Sequence, residues 1–124
     1  MYSDELVFII DDDLIQNEIH TIMLSKIYPS IRVITYTRAI QAVHALDENK
    51  IPTHIFLDLH MPGESETLFL DAHINRKLNS DIYLMSSVPY LEDESLITTY
   101  PAIKGFIGKP LLEHKIKHVF NLYV

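Results

Sequence analysis

The stretch Leu6-Val7-Phe8-Ile9-Ile10-Asp11-Asp12-Asp13 sets five apolar residues directly against three carboxylates. An apolar run with no polar alternation reads as a strand buried on both faces, as in a parallel sheet covered by helices. The same grammar recurs outward from it. Ile15, Ile19, Ile22, Met23 and Ile27 follow at helical spacing, and Pro29-Ser30 breaks the chain before a second strand over residues 31–36. Residues 38–49 predict a helix with Ile40, Val43 and Leu46 facing inward, and residues 54–58 a third strand ending at Asp58. Leu68, Ala72 and residues 74–78 carry a rougher helical pattern ahead of a fourth strand over 82–85. A short acidic helix over 91–100 and a fifth strand over 103–107 come next. Leu112, Ile116, Val119, Phe120 and Tyr123 then form a clean helical stripe.

Strands alternating with helices predict an α/β fold, a doubly wound five-stranded parallel sheet with helices on both faces. In such sheets, sites form outside the carboxyl ends of the strands. Unusual polar residues stand at those ends: Asp11-Asp12-Asp13, Asp58, Ser86-Ser87 and Lys109-Pro110. Singly, each has an ordinary explanation. Asp13 suits a helix N-cap, Asp58 a turn ahead of His60-Met61-Pro62-Gly63, and Ser86 and Lys109 an unremarkable surface. Their joint placement at successive strand ends outweighs those explanations; were the sheet ordered 2-1-3-4-5, strands one, three, four and five would be neighbours and all four groups would converge on one edge.

Length and composition narrow the field. The 124 residues suit one compact domain, and 48% hydrophobic with 22% charged residues is ordinary for a globular chain. The absence of cysteine excludes disulfides, thiolate metal sites and thiol nucleophiles. No signal peptide or bilayer-length apolar run is apparent, so a soluble, cytoplasmic protein with no membrane contact is expected. The net charge of −7 argues against direct nucleic-acid binding, which needs a basic face.

The convergent residues make chemical sense together. Clustered carboxylates raise one another's pKa unless a cation sits among them. A hard divalent ion with oxygen ligands fits, and Mg²⁺ combines a few carboxylates with waters and phosphate oxygens. A phosphoryl group arriving at Asp58 adds negative charge that Mg²⁺ and Lys109 can neutralise, while a serine hydroxyl donates to a phosphoryl oxygen.

At this point the chain resembles the receiver domains of two-component response regulators over nearly its whole length, residues 1–124. The resemblance rests on Val7-Phe8-Ile9-Ile10-Asp11-Asp12-Asp13, Phe56-Leu57-Asp58-Leu59-His60-Met61-Pro62-Gly63, Tyr83-Leu84-Met85-Ser86-Ser87 and Gly105-Phe106-Ile107-Gly108-Lys109-Pro110, in matching order and spacing. It implies the flavodoxin-like sheet order 2-1-3-4-5. It also implies that Asp11, Asp12, Asp58 and the backbone carbonyl of His60 hold Mg²⁺, with Mn²⁺ as a substitute. Asp58 becomes the phosphoacceptor, Ser86 the switch hydroxyl, Lys109 the phosphate partner and Phe106 the switch aromatic, with a cis Lys109-Pro110 bond. The implied donor is a histidine kinase or a histidine phosphotransfer protein. A downstream protein would read the surface of helix four, strand five and helix five, the receiver being a monomer or a phosphorylation-dependent dimer. It would be no enzyme beyond self-phosphorylation from small donors and autodephosphorylation.

Some positions depart from the family pattern. Gly63-Glu64-Ser65-Glu66-Thr67 replaces the usual Met-Asp-Gly-like turn, Ser87 a small apolar residue, and Phe106 lacks a tyrosine hydroxyl. His60 and Val88 stand where the family tunes phosphate lifetime. His114 and His118 lie at i and i+4 on the last helix, a spacing open to a metal but more simply a solvated face. Glu92-Asp93-Glu94 suits a helix N-terminus or partner choice. Asp11-x-Asp13 is similar to haloacid-dehalogenase-type phosphatases, but Ile15 stands where a hydroxyl or small residue is wanted, and Asp58 is idle in that reading. A pseudo-receiver, a binding module without phosphorylation, is the remaining alternative. The last helix reaches the final residue, which fits either a stand-alone receiver acting by contact or one excised domain.

Overall fold

A computed structural model describes residues 5–65, 67–87 and 94–121. Strands β1 (Leu6–Ile10), β2 (Arg32–Tyr36), β3 (His54–Asp58), β4 (Asp81–Ser86) and β5 (Ile103–Gly108) alternate with helices α1 (Leu14–Ile27), α2 (Ala39–Asp47), α3 (Leu68–Asn75), α4 (Glu94–Thr99) and α5 (Glu113–Val119). The strands form one sheet in the order β2-β1-β3-β4-β5, and every pairing is parallel. The chain thus has the doubly wound architecture that its alternation of apolar runs predicts, in the flavodoxin-like order that the resemblance implies.

β1 lies between β2 and β3 with a helix-covered core on each face of the sheet, so all five of its side chains are buried. Successive residues point to opposite faces. Leu6, Phe8 and Ile10 join a core with α2, α3 and the end of α4, while Val7 and Ile9 join a second core with α1 and α5. β3 divides in the same way, Ile55 and Leu57 to the first core and Phe56 to the second. Among the described residues, no helix is long and apolar enough to cross a membrane.

The helices correct several expected faces. Ile40 is exposed on α2, whereas Val43 and Leu46 are buried as expected, together with Ala39, Ala42 and Ala45, small residues that let the helix lie close to the sheet. α3 turns Phe69, Leu70 and His73 inward rather than Leu68 and Ile74, and it ends at Asn75, ahead of Lys77 in a left-handed conformation with φ 54°. On α5, Ile116 is buried and Val119 and Phe120 pack on the core as expected, but Leu112 is exposed at the N-cap. Tyr123 and the first residues of the expected acidic helix, 91–93, lie outside the described residues.

α1 departs furthest. Ile15 and Ile22 are 74% and 55% exposed, and Leu14 and Ile19 also face outward. The fully buried residues are Asn17, His20 and Leu24, at spacings of three and four, while Met23 and Ile27 of the expected stripe pack partly buried against the second core. Asp13 caps the helix as expected, its carboxylate accepting from the Gln16 amide at 3.0 Å.

Candidate functional site

Parallel pairing brings the carboxyl ends of β1, β3, β4 and β5 to one edge. Asp58 lies opposite Met85 in β4, and Ser86 opposite Gly108 in β5, so Lys109 emerges beside the end of β4. The Lys109 amide donates to the Ser86 carbonyl at 2.8 Å, and the Leu59 amide donates to the Met85 carbonyl at 3.0 Å. Both loops therefore leave the sheet under backbone restraint. The Lys109-Pro110 bond is cis.

Asp11 and Asp58 are 0% and 3% exposed, whereas Asp12 faces solvent. Carboxylate oxygens of the three lie within 4.8 Å of one another. The Lys109 ammonium bridges the buried pair, 2.8 Å from Asp11 Oδ2 and 3.2 Å from Asp58 Oδ2. Their other oxygens accept backbone amides: Asp13 donates to Asp11 Oδ1 at 3.0 Å, and His60 to Asp58 Oδ1 at 3.1 Å. Each buried carboxylate is thereby oriented as well as paired with the shared ammonium.

One ammonium faces three carboxylates, and the charges do not balance. Burial pushes the Asp58 carboxyl above its ordinary range, with the Asp11 charge adding to it and the His60 amide and Lys109 opposing. Burial and then Asp11 raise Asp12 likewise. Burial disfavours the Lys109 ammonium, but the hydrogen bond to Asp11 and the charges of Asp11 and Asp58 outweigh it, so its pKa rises. An all-oxygen cluster with excess negative charge and one solvent-facing member fits a hard divalent cation that keeps some of its water. The donor set suits Mg²⁺, with Mn²⁺ as an alternative, and does not suit a soft metal.

Asp11, Asp12, Asp58 and Lys109 are thus brought together as expected, and Ser86 stands on the adjacent strand end. Asp58 belongs to the cluster, whereas the phosphatase-like reading of Asp11-x-Asp13 leaves it idle. Phe106, opposite Leu84, is half-buried against the first core. His114 and His118 are exposed, and the acidic triad, not this pair, is the cluster of metal-ligating groups among the described residues. Val88 lies outside the described residues.

Sequence reasoning missed the inner face of α1. Asn17 Nδ2 donates to the Asp11 carbonyl at 2.8 Å, and His20 Nε2 accepts from the Leu111 amide at 3.1 Å. It also missed Glu64, whose carboxylate accepts from the Ala39 amide and from Arg38 Nε, both at 2.7 Å. The departure from the usual turn after Met61-Pro62 thus supplies an N-terminal cap for α2. The available signal was weak: α1 carries apolar residues all round, and Asn17 and His20 stand out only as polar positions three apart.

No family model matches the sequence, and no curated protein matches it. The fold is nonetheless shared widely among solved structures. Chemotaxis protein CheY4 of Vibrio cholerae superposes with a TM-score of 0.80 at 14% identity, over 98% of this chain and 100% of that one. A CheY-like response regulator receiver domain protein of Methanospirillum hungatei gives 0.78 at 18% identity, over 97% and 93%. A structure of adenylate cyclase from Rhodopirellula baltica gives 0.73 at 19%, over 97% and 87%. The chain therefore has the receiver-domain fold. At these identities the likeness defines architecture, and function is argued from the site.

Proposed function

We propose that this chain is a phosphoacceptor receiver that takes a phosphoryl group on Asp58 from a phosphohistidine of a histidine kinase or phosphotransfer protein. One observation carries the reading: the buried Asp58 carboxylate lies within reach of Asp11 and Asp12 and is bridged to Asp11 by Lys109.

An Asp58 oxygen attacks phosphorus in line, the phosphorus–nitrogen bond breaks, and the electron pair leaves with the donor imidazole, which takes up a proton. The His60 amide, bound to Asp58 Oδ1, fixes the carboxylate so that Oδ2 is the oxygen shared with Lys109. Lys109 is already held by Asp11 and needs little reorganisation to meet a phosphoryl oxygen. Ser86 donates its hydroxyl to another. Asp11, Asp12, Asp58 and the His60 carbonyl would hold Mg²⁺, which supplies neutralisation of the phosphoryl charge.

Donor docking needs a surface beside the acceptor. Leu14 and Ile15 follow the acidic triad directly and expose their apolar side chains, which suits a protein donor. After transfer, the added charge draws Ser86 toward the phosphate and Phe106 inward, reshaping the α4–β5–α5 surface for a downstream partner. The chain acts in this reading as a signalling module rather than a turnover enzyme.

Incubation with acetyl phosphate, followed by intact mass, tests the proposal. A single phosphoryl adduct that needs Mg²⁺ and disappears in Asp58→Asn is the expected result. Absence of both an adduct and a beryllofluoride-induced shift at the Phe106 surface would reduce the chain to a binding module.

A further inference from the structure

The inner face of α1 is built from the wrong residues for stability alone. Asn17 and His20 are 2% and 0% exposed, in positions where apolar side chains would fill the space without desolvating polar groups. The cost is incompletely compensated, because Asn17 Oδ1 and His20 Nδ1 are buried without a hydrogen-bond partner among the described residues. What the two side chains do hold is backbone on either side of the site. Asn17 binds the carbonyl of Asp11, and His20 binds the amide of Leu111, two residues beyond Lys109. Lying three positions apart, they act from one helix face on the two segments whose side chains meet in the 2.8 Å Lys109–Asp11 pair.

We infer that His20 is a positioning residue for Lys109, acting through its acceptor bond to the Leu111 amide; the inference rests on the phosphoacceptor reading above. Lys109 is fixed on its N-terminal side by the Ser86 carbonyl, through its own amide. On the C-terminal side, the next backbone amide that can donate belongs to Leu111, since residue 110 is proline. His20 takes that amide. Accepting at Nε2 requires a neutral ring with its proton on Nδ1, and burial favours the neutral charge state. A leucine at position 20 matches the volume roughly but leaves the Leu111 amide without its partner, freeing the segment that aims the ammonium. A glutamine can place Oε1 near the Nε2 position and keep the bond.

The test compares His20→Leu, His20→Gln and the control Leu24→Ala, which removes an apolar group from the same face of α1 one turn on. Phosphoryl uptake from acetyl phosphate at saturating Mg²⁺ is measured beside unfolding midpoints. His20→Leu is expected to slow uptake roughly tenfold, the range seen when a supporting shell is lost, with glutamine within about twofold of wild type. Leu24→Ala is expected to lose stability while keeping its rate. Equal rates for His20→Leu and wild type, or equal slowing by Leu24→Ala, overturn the inference. Nitrogen-15 NMR of the wild type decides it even where His20→Leu does not fold: the Nδ1–H tautomer with a slowly exchanging Leu111 amide supports it, and the Nε2–H tautomer sinks it. A wild type that takes no phosphoryl group from acetyl phosphate and shows no beryllofluoride-induced shift defeats the phosphoacceptor reading instead, and the NMR result still judges the His20 bond.

Discussion

α1 and α2 flank the same strand from opposite faces, and they are built on opposite plans. α2 buries alanine, valine and leucine, and its inner face is wholly apolar. α1 buries Asn17 and His20 beside Leu24 and exposes Leu14, Ile15, Ile19 and Ile22. Their N-termini differ too: α1 is capped by its own Asp13, whereas the α2 start is satisfied by Glu64, from the loop between β3 and α3. The difference teaches that α2 is there to close a core, while α1 holds the site's backbone and offers an apolar outer face.

The comparison can be broken by substitution. The largest effect is expected in the apolar core that α2 closes. Phe69→Ala, at a fully buried α3 position packed with α2, should cost about 3–5 kcal/mol in urea unfolding. A loss below about 1 kcal/mol would show that this face is not the main source of stability. Glu64→Ala should cost about 1–2 kcal/mol by leaving the Ala39 amide uncapped, and fraying of α2 should appear in amide exchange. Unchanged exchange at the start of α2 would show that the remote cap is dispensable.

Titration sharpens the contrast further. Burial lowers the pKa of His20 on one face and of His73 on the other from the ordinary 6.5. In the unfolded chain these rings protonate at higher pH than in the folded protein, so the unfolded state binds more protons as pH falls. Stability should be full above about pH 6.5 and decline below it, by at most about 1.4 kcal/mol per pH unit for each ring. His73→Leu should flatten the profile, and an unaltered slope would place the proton uptake elsewhere. The smallest effect belongs to the outer face of α1. Ile15→Ser and Ile22→Ser should change stability by no more than about 0.5 kcal/mol, despite the size of the side chains. A large loss would mean that the outer face is structural.

Read from residues alone, the strands were nearly complete, because a run such as Leu6–Ile10 has no other comfortable environment. The site was legible for a related reason. Asp11, Asp58, Ser86 and Lys109 each follow an apolar run, and parallel topology sends such positions to one edge. Helix faces were harder. On α2, alanines carry little hydrophobic signal although they pack closest, so Ile40 drew attention that Ala39 and Ala42 deserved.

What the amino-acid order determined by itself was therefore the alternation of strands and helices, the acidic and basic groups at the strand ends, and the local Asp13 cap. These depend on neighbours in sequence. Tertiary structure alone decided which side of α1 turns inward, since a helix with apolar residues all round has no intrinsic preference. The short Asp11–Asp13 connector and the bonds to the Asp11 carbonyl and Leu111 amide set its rotation. It also decided that Glu64 caps α2 and that one lysine bridges Asp11 and Asp58. Those contacts join residues 25 to 98 positions apart. No local propensity encodes them; they form because packing the sheet excludes water from groups that must then find partners in one another.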